Sequence, residues 1–263
     1  MDELYARNYE RYEERHWWFR GRRKILRSLL QRLPWPAGAD VLEIGVGPGI
    51  NLVTLYPLQI NLFGLEMNER SARIAAERSE ARVFCGTVER FPARLEQRKF
   101  DAITLYDVLE HINDDQSALL QLTRRLKAGG CLLLTVPAYQ WLWGEHDIIN
   151  QHCRRYTMPQ LREKLEKAGL QVTRATYFNT LLLLPAVFVR FAAGIAGGAA
   201  SRKDRPLHSD FEYSSYGLND LLGFIFSLEA FWLKRFNFPC GISIYCEAKL
   251  QDSPAGMEYA SEL

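Results

Sequence analysis

Apolar positions recur along the chain at two periods. In the first 33 residues, Tyr5, Tyr9 and Tyr12 and then Ile25, Leu26, Leu29, Leu30 and Leu33 are spaced by threes and fours, which predicts a helix with one apolar face. PWPAG (34–38) ends it. From Asp40 onward short apolar runs alternate with helical patterns. DVLEI, INLFGLEMN (60–68), ARVFCGTV, FDAITLYDVLEHI and CLLLTVPA read as strands. Between them SARIAAERS (71–79) and NDDQSALLQLTRRLKAGG read as helices, the latter capped by Asn113 or Asp114 and stopped by Gly129. TMPQLREKLEKAGL carries a capping-box pattern, Thr157 with Gln160, and predicts about three turns ending at Gly169. Two late strands, LQVTRATYF (170–178) and GISIYCEAKL (241–250), flank an insertion over 179–240.

Strands separated by helices predict an α/β fold: a Rossmann-like, seven-stranded, mostly parallel sheet with helices on both faces. The expected organisation is a helical lid over 1–38, a core over 39–178, a helical cap over 179–240, the last core strand over 241–250 and a flexible tail over 251–263. The most apolar stretch, 181–200, has enough residues to span a bilayer, but Pro185, Arg190 and three glycines interrupt it. A helical cap over a ligand pocket, a dimer surface or a peripheral membrane contact fits better.

Composition changes this picture little. Net charge is +2 and 48% of residues are hydrophobic, so nothing global points to nucleic acid or disorder, although residues 1–35 carry nine Arg or Lys against five Asp or Glu. The five cysteines are scattered without a CxxC pair, and the polar N-terminus lacks an apolar signal region, so a reduced, cytoplasmic protein is expected, monomeric or homodimeric.

The chemistry begins at EIGVGPG, where Gly45, Gly47 and Gly49 follow the first strand and let a backbone turn tightly against a ligand. Glu66 ends the second strand about twenty residues on, a place for a carboxylate that accepts from ribose hydroxyls. A dinucleotide-binding protein would use the same glycines. With the fourth- and fifth-strand segments added, residues 39 to 137 resemble the class I S-adenosylmethionine-dependent methyltransferases, more narrowly a bacterial small-molecule subgroup. That resemblance implies S-adenosyl-L-methionine as cofactor, Glu43 in the acidic position before the glycines, Glu66 as ribose ligand, Met67 against adenine, and Tyr106 and Asp107 beside the methionine part. CGTVERFP lacks the acid often found after the third strand, so a backbone contact at Val88 or the Glu89 side chain is expected to replace it.

Methyl transfer needs an aligned nucleophile and exclusion of water, and an oxygen acceptor also needs a base. His111 adjoins the fourth strand and is the first candidate, with His146 and His152 in WGEHDIINQHCRRYT as the others. His146, Asp147 and His152 do not have the spacing of a familiar metal motif, and no metal is expected. Arg154 and Arg155 offer planar forks for an acidic acceptor, Tyr139, Trp141 and Trp143 an aromatic wall, and Tyr156 is a further candidate on the acceptor side. In HWWFRGRR, Trp17, Trp18 and Phe19 are expected to form a lid, with Trp17 and Trp18 on its acceptor side and Arg20 or Arg23 turned towards the methionine carboxylate or an acidic acceptor. The expected acceptor is a small, lipophilic or aromatic hydroxylated molecule. An RNA or protein methyltransferase and a non-catalytic cofactor-binding scaffold are the alternatives.

Overall fold

The computed structural model describes residues 12–57, 59–188 and 216–251. Strands β1 (Asp40–Ile44), β2 (Asn61–Glu66), β3 (Arg82–Cys85), β4 (Phe100–Tyr106), β5 (Leu126–Pro137), β6 (Leu170–Phe178) and β7 (Ser243–Leu250) form one sheet in the order β3-β2-β1-β4-β5-β7-β6. β1 to β5 pair in parallel, and β7 runs antiparallel to both β5 and β6. The expected seven-stranded, Rossmann-like sheet is therefore present. Its strand order reverses direction at β1 and β4, which opens a crevice at their carboxyl ends.

Helices among the described residues include α1 (Trp17–Leu30), α2 (Ile50–Thr54), α3 (Glu69–Arg78), α4 (Ala93–Glu96), α5 (Asp115–Thr123), α6 (Glu145–Ile149), α7 (Met158–Lys167) and α8 (Tyr216–Leu233). Both faces of the sheet are covered because strand side chains alternate. Leu132 and Leu134 of β5 enter the core shared with α5 and α7, whereas Leu133 between them enters the core built with α1 and α8.

Local signals fix most boundaries. The Asn68 side chain caps α3 by accepting from Ser71 N at 3.0 Å, and Thr157 with Gln160 closes the expected box at α7. Asp114 rather than Asn113 caps α5, accepting from Ser117 N at 3.0 Å. The stop assigned to Gly129 is corrected: α5 ends at Thr123, and Gly129 lies inside β5. The ladder is the reason, since Leu126 already pairs with Phe100 of β4 and draws the backbone out of the helix.

The N-terminal helix is likewise broken. His16 takes an extended conformation and its ring accepts from Trp18 N at 3.3 Å, so α1 starts at Trp17 after a separate turn over 12–15. Tyr5 and Tyr9, the 189–215 part of the insertion and the tail from 252 lie outside the described residues. No helix among the described residues is long and apolar enough to cross a membrane.

α1 and α8 pack side by side and run in the same direction. Trp17 N donates to Asn219 Oδ1 at 2.8 Å, and Ser28 Oγ to Ala230 O at 3.0 Å. Between these two contacts Gly21 meets the Phe226 ring, where an added Cβ would lie 2.3 Å from Cδ1. The buried Glu229 ties α8 to the end of β6, its carboxylate accepting from the backbone N–H groups of Asn179, Thr180 and Leu181 at 2.6, 2.7 and 2.8 Å. We expect Gly21→Val to destabilise the protein by about 1–3 kcal/mol in urea unfolding, because the added methyls push the helices apart. Phe226→Ala in the same chain should recover part of that loss, and strict additivity would show that the two positions do not meet.

Candidate active site

After β1 the chain turns through Gly45, Gly47 and Gly49, all at positive φ. Two of these glycines are fixed by close approach: a Cβ on Gly45 would lie 2.6 Å from Val108 Cγ2, and one on Gly49 2.8 Å from the Ala75 Cα. Glu66 braces the turn from the end of β2, accepting from Gly47 N and Asn68 N, each at 2.9 Å. Each carboxylate oxygen keeps a second lone pair for a further donor. Met67 beside it is 75% exposed. Glu43 is buried under the turn and accepts from Asn51 Nδ2 at 2.9 Å and Tyr56 Oη at 2.6 Å. Burial pushes its pKa up to about 7 against the pull of those two bonds. The Val88 side chain sits in the core, leaving its backbone as the group available at this position, and Glu89 is exposed.

At the end of β4, Tyr106 is buried and Asp107 takes φ 57, a left-handed turn that lifts its carboxylate off the sheet. There it meets Arg22 of α1, whose Nη1 bonds Asp107 Oδ2. The Arg22 guanidinium lies 4.6 Å from the Trp18 ring centroid, a cation–π contact that covers the ion pair. Arg22 therefore holds the position expected for Arg20 or Arg23. Arg20 points outward to Asp220 on α8 at 2.6 Å, and Arg23 donates to the Glu13 and Glu14 carbonyls. The helical period explains the exchange, since Arg22 shares the buried face of α1 with Phe19, Ile25 and Leu26.

A cavity of about 480 Å³ opens beside this ion pair. Trp17, Trp18, Phe19, Leu142, Leu182 and Leu222 form its apolar part. Asp107, Glu110, His111, His146, His152 and Arg155 form the polar part, so all three candidate histidines reach one space. His152 Nδ1 lies 2.8 Å from Asp147 Oδ1, and its ring meets the His111 ring edge to face with centroids 4.7 Å apart. The crowded surroundings of His111, followed by the neighbouring His152, lower its pKa and favour the neutral imidazole. Glu110 is fully buried and its pKa is raised, first by that burial and then by Asp107. Burial opposes ionisation of Asp147, yet the bonds from His152 and Arg155 bring its pKa well below the usual carboxylate range.

Four expected acceptor residues are used elsewhere. Arg155 clamps Asp147, Nε to Oδ1 at 2.7 Å and Nη2 to Oδ2 at 2.9 Å, so its fork is committed although it borders the cavity. Arg154 pairs with Asp115 at 2.8 Å. Tyr156 is buried in the core and donates to Asp115 Oδ2 at 2.8 Å. Tyr139 stacks between Trp141 and Tyr177, and neither it nor Trp143 borders the cavity. Sequence reasoning passed over Glu13, Arg22, Glu110 and Asn179. Only Arg22 carried a signal, its register on the apolar face of α1.

Comparison with known proteins bears on this geometry. A family model described as "Methyltransferase domain" matches residues 18–175. A protein of Mycolicibacterium smegmatis named "Probable S-adenosylmethionine-dependent methyltransferase" is 28% identical over 162 residues, covering 60% of this chain and 61% of its own. A sarcosine/dimethylglycine N-methyltransferase of Aphanothece halophytica is 28% identical over 39% of each chain. The chain thus spans less than two thirds of the curated relatives it matches. Among solved structures, an S-adenosylmethionine-dependent methyltransferase of Thermotoga maritima, described as a possible histamine N-methyltransferase, superposes with a TM-score of 0.54 at 22% identity. That superposition covers 94% of this chain and 98% of the other, and shows a shared fold.

Glu13 supplies a pH test of how the N-terminal segment docks on the turn. Its carboxyl is buried, with Oε1 3.4 Å from where a Cβ on Gly47 would stand, and burial raises its pKa to about 8 despite Arg22 and Arg23. The folded state therefore binds this proton more tightly than the unfolded chain. Its contribution is complete below the unfolded pKa and is lost as pH rises through about 8. We expect Glu13→Gln to melt at a higher temperature than the wild type, by a margin that widens from about pH 5 to about pH 8. A margin independent of pH would show that Glu13 is not held protonated.

Proposed function

The chain belongs to the methyltransferase-domain family, whose model spans residues 18–175, and from that premise we propose that it transfers a methyl group from S-adenosylmethionine to a small lipophilic or aromatic hydroxylated acceptor. The observation that carries this reading is the cavity of about 480 Å³, lined by indole and leucine side chains and by His111 and His152, beside the Arg22–Asp107 pair at the end of β4.

The residues present fit the cofactor. Among the described residues the turn at Gly47 faces a gap that Glu13 Oε1 alone approaches, Glu66 keeps a lone pair on each oxygen at the end of β2, and Met67 is exposed beside it. These groups would hold the nucleoside end, and Asp107 with Arg22 the amino-acid end. When bound, the cofactor supplies a methyl group already activated on a positively charged sulfur.

The protein's own part is positioning, desolvation and proton removal. Trp17, Trp18 and Phe19 of α1 exclude water from one side, as a lid would, and Leu218 and Leu222 of α8 add the cap expected of the insertion. His111, kept neutral, accepts the acceptor's hydroxyl proton. His152, oriented by Asp147, holds the imidazole edge against it. An amine acceptor is the second reading, favoured by the named activities of two of the proteins compared. The same neutral imidazole would then take the ammonium proton.

Titration calorimetry with S-adenosylmethionine and S-adenosylhomocysteine should show binding of both to the wild type, and absence of both would overturn the reading. With a panel of hydroxylated and amine acceptors followed by mass-resolved product, His111→Ala should retain cofactor affinity while kcat falls by about 10²–10⁴. An unchanged kcat would remove His111 from the proton path.

A further inference from the structure

The polar end of the cavity contains more than a candidate base. Glu110, His111 and His152 each offer one ligand atom, and the three atoms lie within 4.8 Å of one another. Three ligands bound to one ion at about 2.0–2.2 Å stand roughly 3.3 Å apart in a tetrahedral site, so closing the set takes only a side-chain adjustment. Glu110 is fully buried, and neither Oε1 nor Oε2 has a hydrogen-bond partner among the described residues. A carboxylate so placed is costly unless something compensates it.

One of the two imidazoles is already oriented as a ligand is. Asp147 binds Nδ1 of His152 and leaves Nε2 for the cluster, and Arg155 in turn fixes Asp147 at 2.7 and 2.9 Å. The His111 ring meets the His152 ring edge to face with centroids 4.7 Å apart. A carboxylate that orients a histidine from behind is the usual support of a metal ligand.

We propose that Glu110, His111 and His152 form a binding site for one divalent first-row transition-metal ion. Two imidazoles and a carboxylate suit zinc or iron better than magnesium or calcium, which prefer all-oxygen shells. Three protein ligands leave a coordination position open, and the cavity lies on that side. The use of that position rests on the acceptor reading above: it would take the acceptor's oxygen and lower the pKa of its hydroxyl. Ion binding itself does not require that reading.

Untagged full chain, stripped with chelator and titrated with Co²⁺ alone, should take up one ion and develop visible ligand-field bands, with Zn²⁺ displacing it. Glu110→Gln, which keeps the side chain's shape, and His152→Ala should each weaken uptake by more than about tenfold, with folding checked by near-ultraviolet circular dichroism. If His152→Ala does not fold, Glu110→Gln decides. No stoichiometric uptake by the folded wild type, or uptake unchanged in Glu110→Gln, would overturn the site. S-adenosylmethionine titrated into the same preparations separates the two readings: cofactor binding without ion uptake overturns the metal site alone, and ion uptake without cofactor binding leaves the site standing and overturns the methyltransferase reading.

Discussion

The buried ion pair between Arg22 and Asp107 is the contact on which the site's arrangement depends. It joins the N-terminal helix to the end of the fourth strand, two segments that the sheet alone would leave unconnected. Both partners are largely withdrawn from water, and losing one such partner while the other stays buried costs about 3–5 kcal/mol. The pair therefore fixes the register of α1 on the crevice. With it come Trp17, Trp18 and Phe19, which form the apolar side of the cavity.

A second buried charge organises the opposite side. Asp147 is fully enclosed and answers to Arg155 and His152 together, so the loop after β5 has one arrangement in which its carboxylate is compensated. That arrangement delivers His152 against His111. Farther back, Asp115 collects Arg154, Lys164 and Tyr156 in the same way and locks α5 to α7. Residues that look like recognition groups in a linear reading here serve as internal struts, because a carboxylate in a dry interior needs every donor within reach.

Much of the glycine turn and its carboxylate brace was legible in advance. Glycines at 45, 47 and 49 after an apolar run leave few backbone paths, and a carboxylate twenty residues later falls at the next strand's end because strand and helix lengths are narrow. The lining of the cavity was legible only in part. His111, His146 and His152 do converge, but Arg155, Tyr156 and Tyr139 do not serve the cavity as their types suggested, and Arg22, not Arg20, reaches Asp107. A residue's type tells what it can bond, whereas its partner depends on which loops meet.

The sequence by itself determined the alternation of strands and helices, the seven-stranded sheet and the glycine turn, because those follow from periodicity and local backbone preferences that act over a few residues. Only the tertiary structure decided which arginine faces the crevice, where α5 gives way to β5, and that the Glu110 carboxylate stands beside two histidines without a hydrogen-bond partner among the described residues. Those outcomes depend on burial and on contacts across separations such as the 85 residues between Arg22 and Asp107, where the cost of desolvating a charge selects its partner.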